Sequence, residues 1–303
     1  MEVLPDIFEE RAHNLEVYAQ KQIFQRMTIL NDLPMNQNPV GTFTNIMASE
    51  NPDPETGNPI TTSEGVTFTE IKFGKPSEIR GAIRPKGFMF RMSDQVERNG
   101  QLDSTLQIFI NKSIGRFINY YDKLFLDSLT AGAGATAPDD LIPISSDMTG
   151  FDVIENEYKI IDAMEFQNDN DTGFKPTKAY TNRADALIIK TALAKSDLTD
   201  ESEIEYVPTT KVAQGEQTIV DMVNPTATIE KFTNSKYSII AQMEAESPNG
   251  RVYDNDGNPI PPSFINIKEA VPEEPERTNY YIFTSAGLNV KEPHGIMKVE
   301  YSS

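Results

Sequence analysis

An α+β fold is predicted for this 303-residue chain by three features. One uninterrupted helical pattern covers residues 103–130. A turn-rich stretch followed by alternating apolar residues marks a β-excursion over residues 55–90. Residues 205–303 read as short strands between polar turns. Helices and strands segregated in this way indicate α+β, not an alternating α/β chain. No internal repeat is visible.

Taken in order, residues 6–30 predict an amphipathic helix. Ala12, Leu15, Ala19, Ile23, Met27 and Leu30 recur at spacings of three and four. Pro5 and Asp6 suit its first turn, and Asn31-Asp32-Leu33-Pro34 ends it. Residues 31–50 have scattered apolars without period and read as an extended arm. Asn51 to Pro59 is rich in turn formers. Val66, Phe68, Ile71 and Phe73 then alternate with one slip, as a bulged strand does. Gly74-Lys75-Pro76 turns the chain, and Ile79 to Phe90 returns, interrupted at Arg84-Pro85-Lys86-Gly87. A two-stranded ribbon of this kind is marginal in water and needs something to lie against.

The helix over 103–130 starts at an Asp103 or Ser104 cap. Leu106, Ile110, Ile114, Phe117, Tyr121 and Leu124 form its apolar rhythm, widened by Phe109, Tyr120 and Phe125, and Gly132 and Gly134 stop it. Gly115 lies mid-helix, where it costs about 1 kcal/mol relative to Ala. A close neighbouring backbone is the expected reason. Residues 151–166 predict a further helix with Phe151, Ile154, Tyr158, Ile161 and Phe166 near one face. A short strand ends at Ala179-Tyr180, and Arg183 to Ala194 reads as a helix on Ala186, Ile189 and Leu193. The strands expected in the tail are Gln217–Val220, Tyr237–Gln242, Tyr280–Thr284 and Ile296–Tyr301.

Composition removes several function classes. There is no Cys and no Trp, so disulfides, thiol nucleophiles and zinc–thiolate sites are excluded. The net charge of −19 argues against tight binding to nucleic acid, which needs clustered Lys and Arg. By itself the charge only keeps a concentrated protein soluble. The N-terminus has no basic region followed by an apolar one, and no stretch reaches the roughly 18–20 apolar residues of a membrane span. The expectation is a soluble protein made in the cytoplasm.

Catalytic motifs are missing too. The two His, His13 and His294, are far apart and read as solvated positions. No Ser/His/Asp set, HExxH, GxSxG or Gly-rich phosphate loop is present. Asp254 to Asn258 and Asn168 to Gly173 have the texture of calcium loops, but Val252 and Ala179 stand where ligands are required. Both read as turns. Glu201 to Glu205 reads as a solvated loop. No catalytic residue, cofactor or metal is assigned, and the chain is read as a non-enzyme. A carboxylate-dependent hydrolase stays open as an alternative, because carboxylates are many and no spacing selects a pair.

The residues Ile83-Arg84-Pro85-Lys86-Gly87-Phe88, the helix after them, and Phe174 to Asp185 carry a resemblance. In order of elements the chain resembles the major capsid proteins of tailed phages, whose fold encapsulins share. In that family a strand at the place of Phe174 to Asn182 leads into a short helix that begins with Asn or Asp. The resemblance implies an α+β fold with an N-terminal arm (1–50), an extended β-loop (51–82), a peripheral domain (83–140 with 276–303) holding the spine helix 103–130, and an axial domain (141–275). It implies a homo-oligomeric structural protein that self-assembles through pentamers and hexamers into an icosahedral virion shell around double-stranded DNA, without sequence-specific binding. A separate scaffolding protein, a portal and a cement protein are the implied partners. An encapsulin-like cargo shell is the second reading. Arg80, Arg84, Lys86 and Arg91 form a basic strip in this acidic chain and are expected at inter-subunit contacts, paired with a neighbour's carboxylates.

Overall fold

The computed structural model describes residues 4–38, 42–47, 77–83, 85–93, 102–167, 170–171, 173–224, 226–232, 239–254, 256–270 and 277–301. In chain order the first elements are α1 (Leu4–Arg26), α2 (Thr28–Asp32), β1 (Met35–Asn38), β2 (Thr42–Met47), β3 (Ser77–Ala82), β4 (Lys86–Ser93) and α3 (Leu102–Ala131). There follow α4 (Gly150–Glu165), β5 (Phe166–Gln167), β6 (Asn170–Asp171), β7 (Lys178–Asn182), α5 (Arg183–Lys195), β8 (Glu205–Thr209), β9 (Glu216–Val220) and β10 (Ala227–Phe232). The tail holds α6 (Ile239–Glu246), β11 (Val252–Tyr253), β12 (Pro259–Ile260), β13 (Asn266–Ala270), β14 (Arg277–Thr284), β15 (Ala286–Val290) and β16 (Ile296–Glu300). Packing divides the chain into two compact units. One comprises Met1–Phe43, Gly81–Phe125 and Ile229–Leu288, the other Thr44–Arg80, Leu126–Thr228 and Asn289–Ser303.

In the first unit β13, β14 and β4 form an antiparallel sheet in that order. The expected ribbon is corrected at its returning end. β4 returns to the body of the protein and pairs with β14 from Lys86↔Thr284 to Ser93↔Arg277. β3 pairs with β2, and most of both strands belongs to the second unit. The strand expected at Val66–Phe73 and the turns at 51–59 and 74–76 lie outside the described residues. The glycine near the start of β4 has a steric reason. A Cβ on Gly87 would come within 2.6 Å of the Cβ of Phe283, its partner across the pair. Only glycine lets the two backbones approach this closely.

The N-terminal helix is also corrected. Its apolar period runs on to Leu30, but α1 stops at Arg26 and Met27 is extended at φ −90°, ψ 121°. The Asn31 amide donates to the carbonyls of Phe24 and Met27 at 2.6 and 3.1 Å, satisfying the end of α1. Met27, Ile29 and Leu30 are all buried, so the break preserves the burial that the period implied.

Helix α3 is about 45 Å long. Gly115 has no atom within 4 Å of where its Cβ would stand, so the close backbone expected there is absent from the described chain. The Tyr237–Gln242 strand is a further correction: residues from Ile239 form helix α6. Ile239 and Ile240 suggested a strand, but Ala, Gln, Met and Glu after them favour helix. Ile240 is buried beside Val17 of α1, which fixes the choice.

The second unit is a four-stranded sheet, β16-β9-β7-β8, covered by α4 and α5. β7 runs into α5 as the resemblance implied. The Asn182 side chain caps the helix by accepting from the Ala184 amide at 2.9 Å. Helix α4 begins at a capping box between Thr149 and Asp152. Its buried face differs from the one expected. Val153, Ile160 and Met164 enter the core with Ile189, Leu193, Ile219 and Met297. Phe151, Tyr158 and Phe166 are 71%, 57% and 55% exposed. The helix carries an aliphatic and an aromatic stripe, and the aliphatic one packs closely enough for a Cβ on Gly150 to meet Ser196 at 2.6 Å.

Candidate assembly surfaces

The sheet of the first unit has one face closed and one open. Alternation along β4 and β14 puts Phe88, Phe90, Tyr280 and Ile282 on the same side. Phe88 meets Phe117 edge-on at 5.0 Å and Phe90 stacks on Phe109 at 4.9 Å, so this side is sealed by α3. On the opposite side Gly87, Met89, Tyr281 and Phe283 line a pocket of about 560 Å³, completed by Phe232 and Lys268. Met89 is 49% exposed.

The basic strip borders this region in part. Lys86 and Arg91 are exposed on β4, and the Lys86 ammonium stands 5.6 Å over the Tyr120 ring. Arg80 lies in β3, with its side chain outside the described residues, as is Arg84. Lys86 and Arg91 lie on opposite faces of β4 by alternation, so these two do not form a single row.

Below the sheet the first unit holds a polar node that the sequence reading missed. Glu16, Gln20, Lys231 and Ser263 are fully buried and Glu244 nearly so. Glu16 accepts from the amides of Ile267 at 2.8 Å and Ile240 at 3.4 Å. Gln20 accepts from the Phe264 amide and donates to the Ile265 carbonyl, both at 2.8 Å. Lys231 donates to the Ser263 carbonyl, and to its hydroxyl at 2.9 Å. Glu244 accepts from the Ser263 amide at 3.1 Å and from Gln37 at 2.9 Å. Burial pushes the Glu16 carboxyl up to about 7 and the Lys231 ammonium down to about 7. Burial also raises Glu244. The node ties α1 and β1 to the segments around α6 and β13. One signal was visible: Glu16 and Gln20 sit one turn apart, in line with Ile23 and Met27 on the apolar stripe.

The other motifs resolve structurally. Asp254 accepts from the amides of Asp256 and Asn258 at 3.1 and 2.8 Å, and Gly257 at φ +79° closes the β11–β12 hairpin. Of Asn168 to Gly173, residues 168, 169 and 172 lie outside the described residues, and Asn170–Asp171 pairs with Phe166–Gln167. The 201–205 loop is anchored, not merely solvated. Buried Glu157 accepts from the Ser202 hydroxyl at 2.7 Å and the Glu203 amide at 3.0 Å. His13 and His294 are half-buried, where solvated positions were expected. Among the described residues no cluster of acids and His could hold a metal, and no helix is long and apolar enough to cross a membrane.

This architecture is that of tailed-phage major capsid proteins. The chain resembles a virus-like particle subunit from Pyrococcus furiosus at a TM-score of 0.56 and 12% identity, over 96% of this chain and 98% of that one. It resembles the capsid of Myoviridae phage XM1 at 0.52 and 10%, over 90% and 91%. It resembles the capsid of cyanophage A-1(L) at 0.51 and 8%, over 90% and 92%. At these identities the likeness establishes the fold. No family model matches the chain, and no curated protein matches its sequence.

Proposed function

We propose that this chain is a major capsid protein, which self-assembles through pentamers and hexamers into an icosahedral head enclosing double-stranded DNA. The observation that carries the reading is the fold itself, matched along nearly the whole chain by capsid and virus-like-particle subunits. The net charge of −19 supports it, because such a wall encloses DNA without adhering to it. The chain acts as a structural protein and not an enzyme. It assembles in the host cytoplasm and resides in the virion, with a separate scaffolding protein, a portal and a cement protein as partners.

In this reading residues 1–50 are an arm and 51–82 an extended loop. Residues 83–140 with 276–303 are the peripheral domain, and 141–275 the axial domain. These are roles in a shell and need not coincide with the packing units. Arg80, Arg84, Lys86 and Arg91 contact a neighbour's carboxylates and set subunit register more than affinity. The second reading is an encapsulin-like cargo shell. The apolar pocket on the open sheet face favours it, since a cargo peptide needs such a recess.

Electron microscopy and light scattering of the purified chain, alone and with its scaffold, test the proposal. Closed shells are expected. A monodisperse monomer under every assembly condition overturns it, and protein cargo in place of DNA in native particles selects the second reading. Reversing Arg84 and Lys86 together to Glu is expected to leave the subunit folded and misdirect closure. Normal shells from that variant remove the strip from the interface.

A further inference from the structure

We propose that helix α4 of one copy docks antiparallel on helix α5 of a second copy. This rests on the shell reading above and names one contact within it.

The exposed positions of α4 fall on one stripe. Phe151, Glu155, Tyr158 and Asp162 are all exposed, and they follow one another at spacings of four, three and four residues. This is one face of a helix. Every other position of α4 is buried or half-buried. The stripe is aromatic and acidic. Two large rings more than half exposed are costly to leave in water, and aromatic residues are enriched where protein surfaces meet.

The exposed face of α5 is its chemical opposite. Arg183, Leu187, Lys190 and Ala194 are exposed, also at spacings of four, three and four. The helix's one acid, Asp185, is turned inward, 1% exposed, and accepts from the Gly215 amide at 2.8 Å. Ala184, Thr191 and Lys195 beside them are exposed too, so the face carries cations and uncharged groups and no acid. The helices are about 24 and 20 Å long, so either spans the other.

Laid antiparallel, the two stripes match row by row. Phe151 faces the small Ala194, Glu155 faces Lys190, Tyr158 faces Leu187, and Asp162 faces Arg183. The parallel arrangement has the same spacings but the wrong chemistry. It would set Arg183 on Phe151, Glu155 on Leu187, Lys190 on Tyr158 and Asp162 on Ala194, leaving both acids on apolar groups and forming no ion pair. The antiparallel register is thus selected by charge and not by length.

Within one copy Glu155 is bonded at 3.0 Å to Lys159, which also reaches Asp140. Such exposed pairs contribute little and exchange partners readily. Inside the subunit α4 and α5 already pack on each other through their aliphatic faces, so the two outer stripes are left for a neighbour. Because the two faces differ, one copy can engage a different neighbour at each of them. A heterologous contact propagates head to tail and closes into a ring when the rotation allows.

The test is a charge swap in the full chain. One variant carries Glu155→Lys and Asp162→Lys, a second carries Arg183→Glu and Lys190→Glu, and a third combines all four. The positions are exposed. Asp162→Lys late in α4 and Arg183→Glu at the start of α5 suit the helix ends, and thermal melting checks that every variant folds. Shell yield is read by sedimentation and electron microscopy. Each double variant is expected to lower it roughly tenfold or more, and the fourfold variant to restore it to within about threefold of wild type. If wild type forms shells and both double variants match it, the α4–α5 contact is overturned while the shell reading stands. The contact is also overturned if both double variants fail and the fourfold variant is no better. If wild type itself never assembles, the shell reading fails and the contact with it.

Discussion

The two compact units bury charge in different ways. The second unit buries single acids, and each of Glu157, Asp185 and Asp221 accepts backbone amides from a nearby loop. Its core is largely aliphatic, centred on Ile160, Ile219 and Met297, with Tyr206 among them. The first unit buries a cation between two acids, with a glutamine alongside. Lys231 is the one fully buried Lys or Arg among the described residues. The difference shows two ways of holding distant segments together. Aliphatic packing is tolerant of detail and indifferent to pH. A buried polar node fixes which segments meet, because each donor has a particular acceptor, and it makes stability depend on protonation.

The sharpest way to break this comparison is to remove the lysine. Lys231→Met takes away the buried ammonium that donates to the Ser263 carbonyl and hydroxyl. It is expected to destabilise the first unit by about 3 kcal/mol at pH 6, where Lys231 is still charged. Ile160→Val in the second unit should cost only about 1 kcal/mol. Urea unfolding followed by near-UV circular dichroism of the tyrosines measures both, the chain having no Trp. Equal losses would show that the node is no more than packing.

A subtler probe is pH. The folded-state pKa of Glu16 is raised from 4.5 to about 7, so its stabilising contribution is complete below pH 4.5 and is lost as pH rises to 7. Lys231 is lowered from 10.5 to about 7, so its contribution is complete above pH 10.5 and is lost as pH falls to 7. The node therefore contributes least near neutral pH. Between pH 4.5 and 7 the first unit should lose up to about 3 kcal/mol, a decline that Glu16→Gln removes while the limb above pH 7 persists. Unchanged pH dependence in that variant would assign the decline to the acidic chain as a whole.

Much of the layout was legible from sequence because it is local. The spine helix, the strand-to-helix step at Asn182 and the β-rich tail follow from periodicity and capping. What escaped is non-local. The partner of β4 is some 190 residues away, and no pattern within residues 86–93 names β14. Helix α4 has two apolar stripes, and only its packing on α5 decides which is buried. Residues 239–246 are helical because α1 lies beside them. Glu16 and Gln20 were visible as polar residues on an apolar stripe, but their partners lie more than 200 residues away. The basic strip was legible as composition, yet strand alternation separates Lys86 from Arg91.

The smallest expected effect concerns Gly115, and it joins the fold to assembly. A mid-helix glycine costs about 1 kcal/mol relative to alanine, chiefly in backbone entropy. Within the described chain nothing justifies that cost, because no atom lies within 4 Å of the missing Cβ and the Gly115 carbonyl simply accepts from the Asn119 amide at 3.0 Å. Gly115→Ala is therefore expected to stabilise the isolated subunit by about 1 kcal/mol, read as a raised urea midpoint of the first unit. The same variant then separates two explanations of the residue. If its shells form with wild-type yield, Gly115 is a tolerated weakness in a helix held by packing. If the subunit is more stable yet assembles less well, the space above Gly115 is filled by a neighbouring backbone in the shell. The close approach expected from the sequence would then be real, but between subunits and not within one.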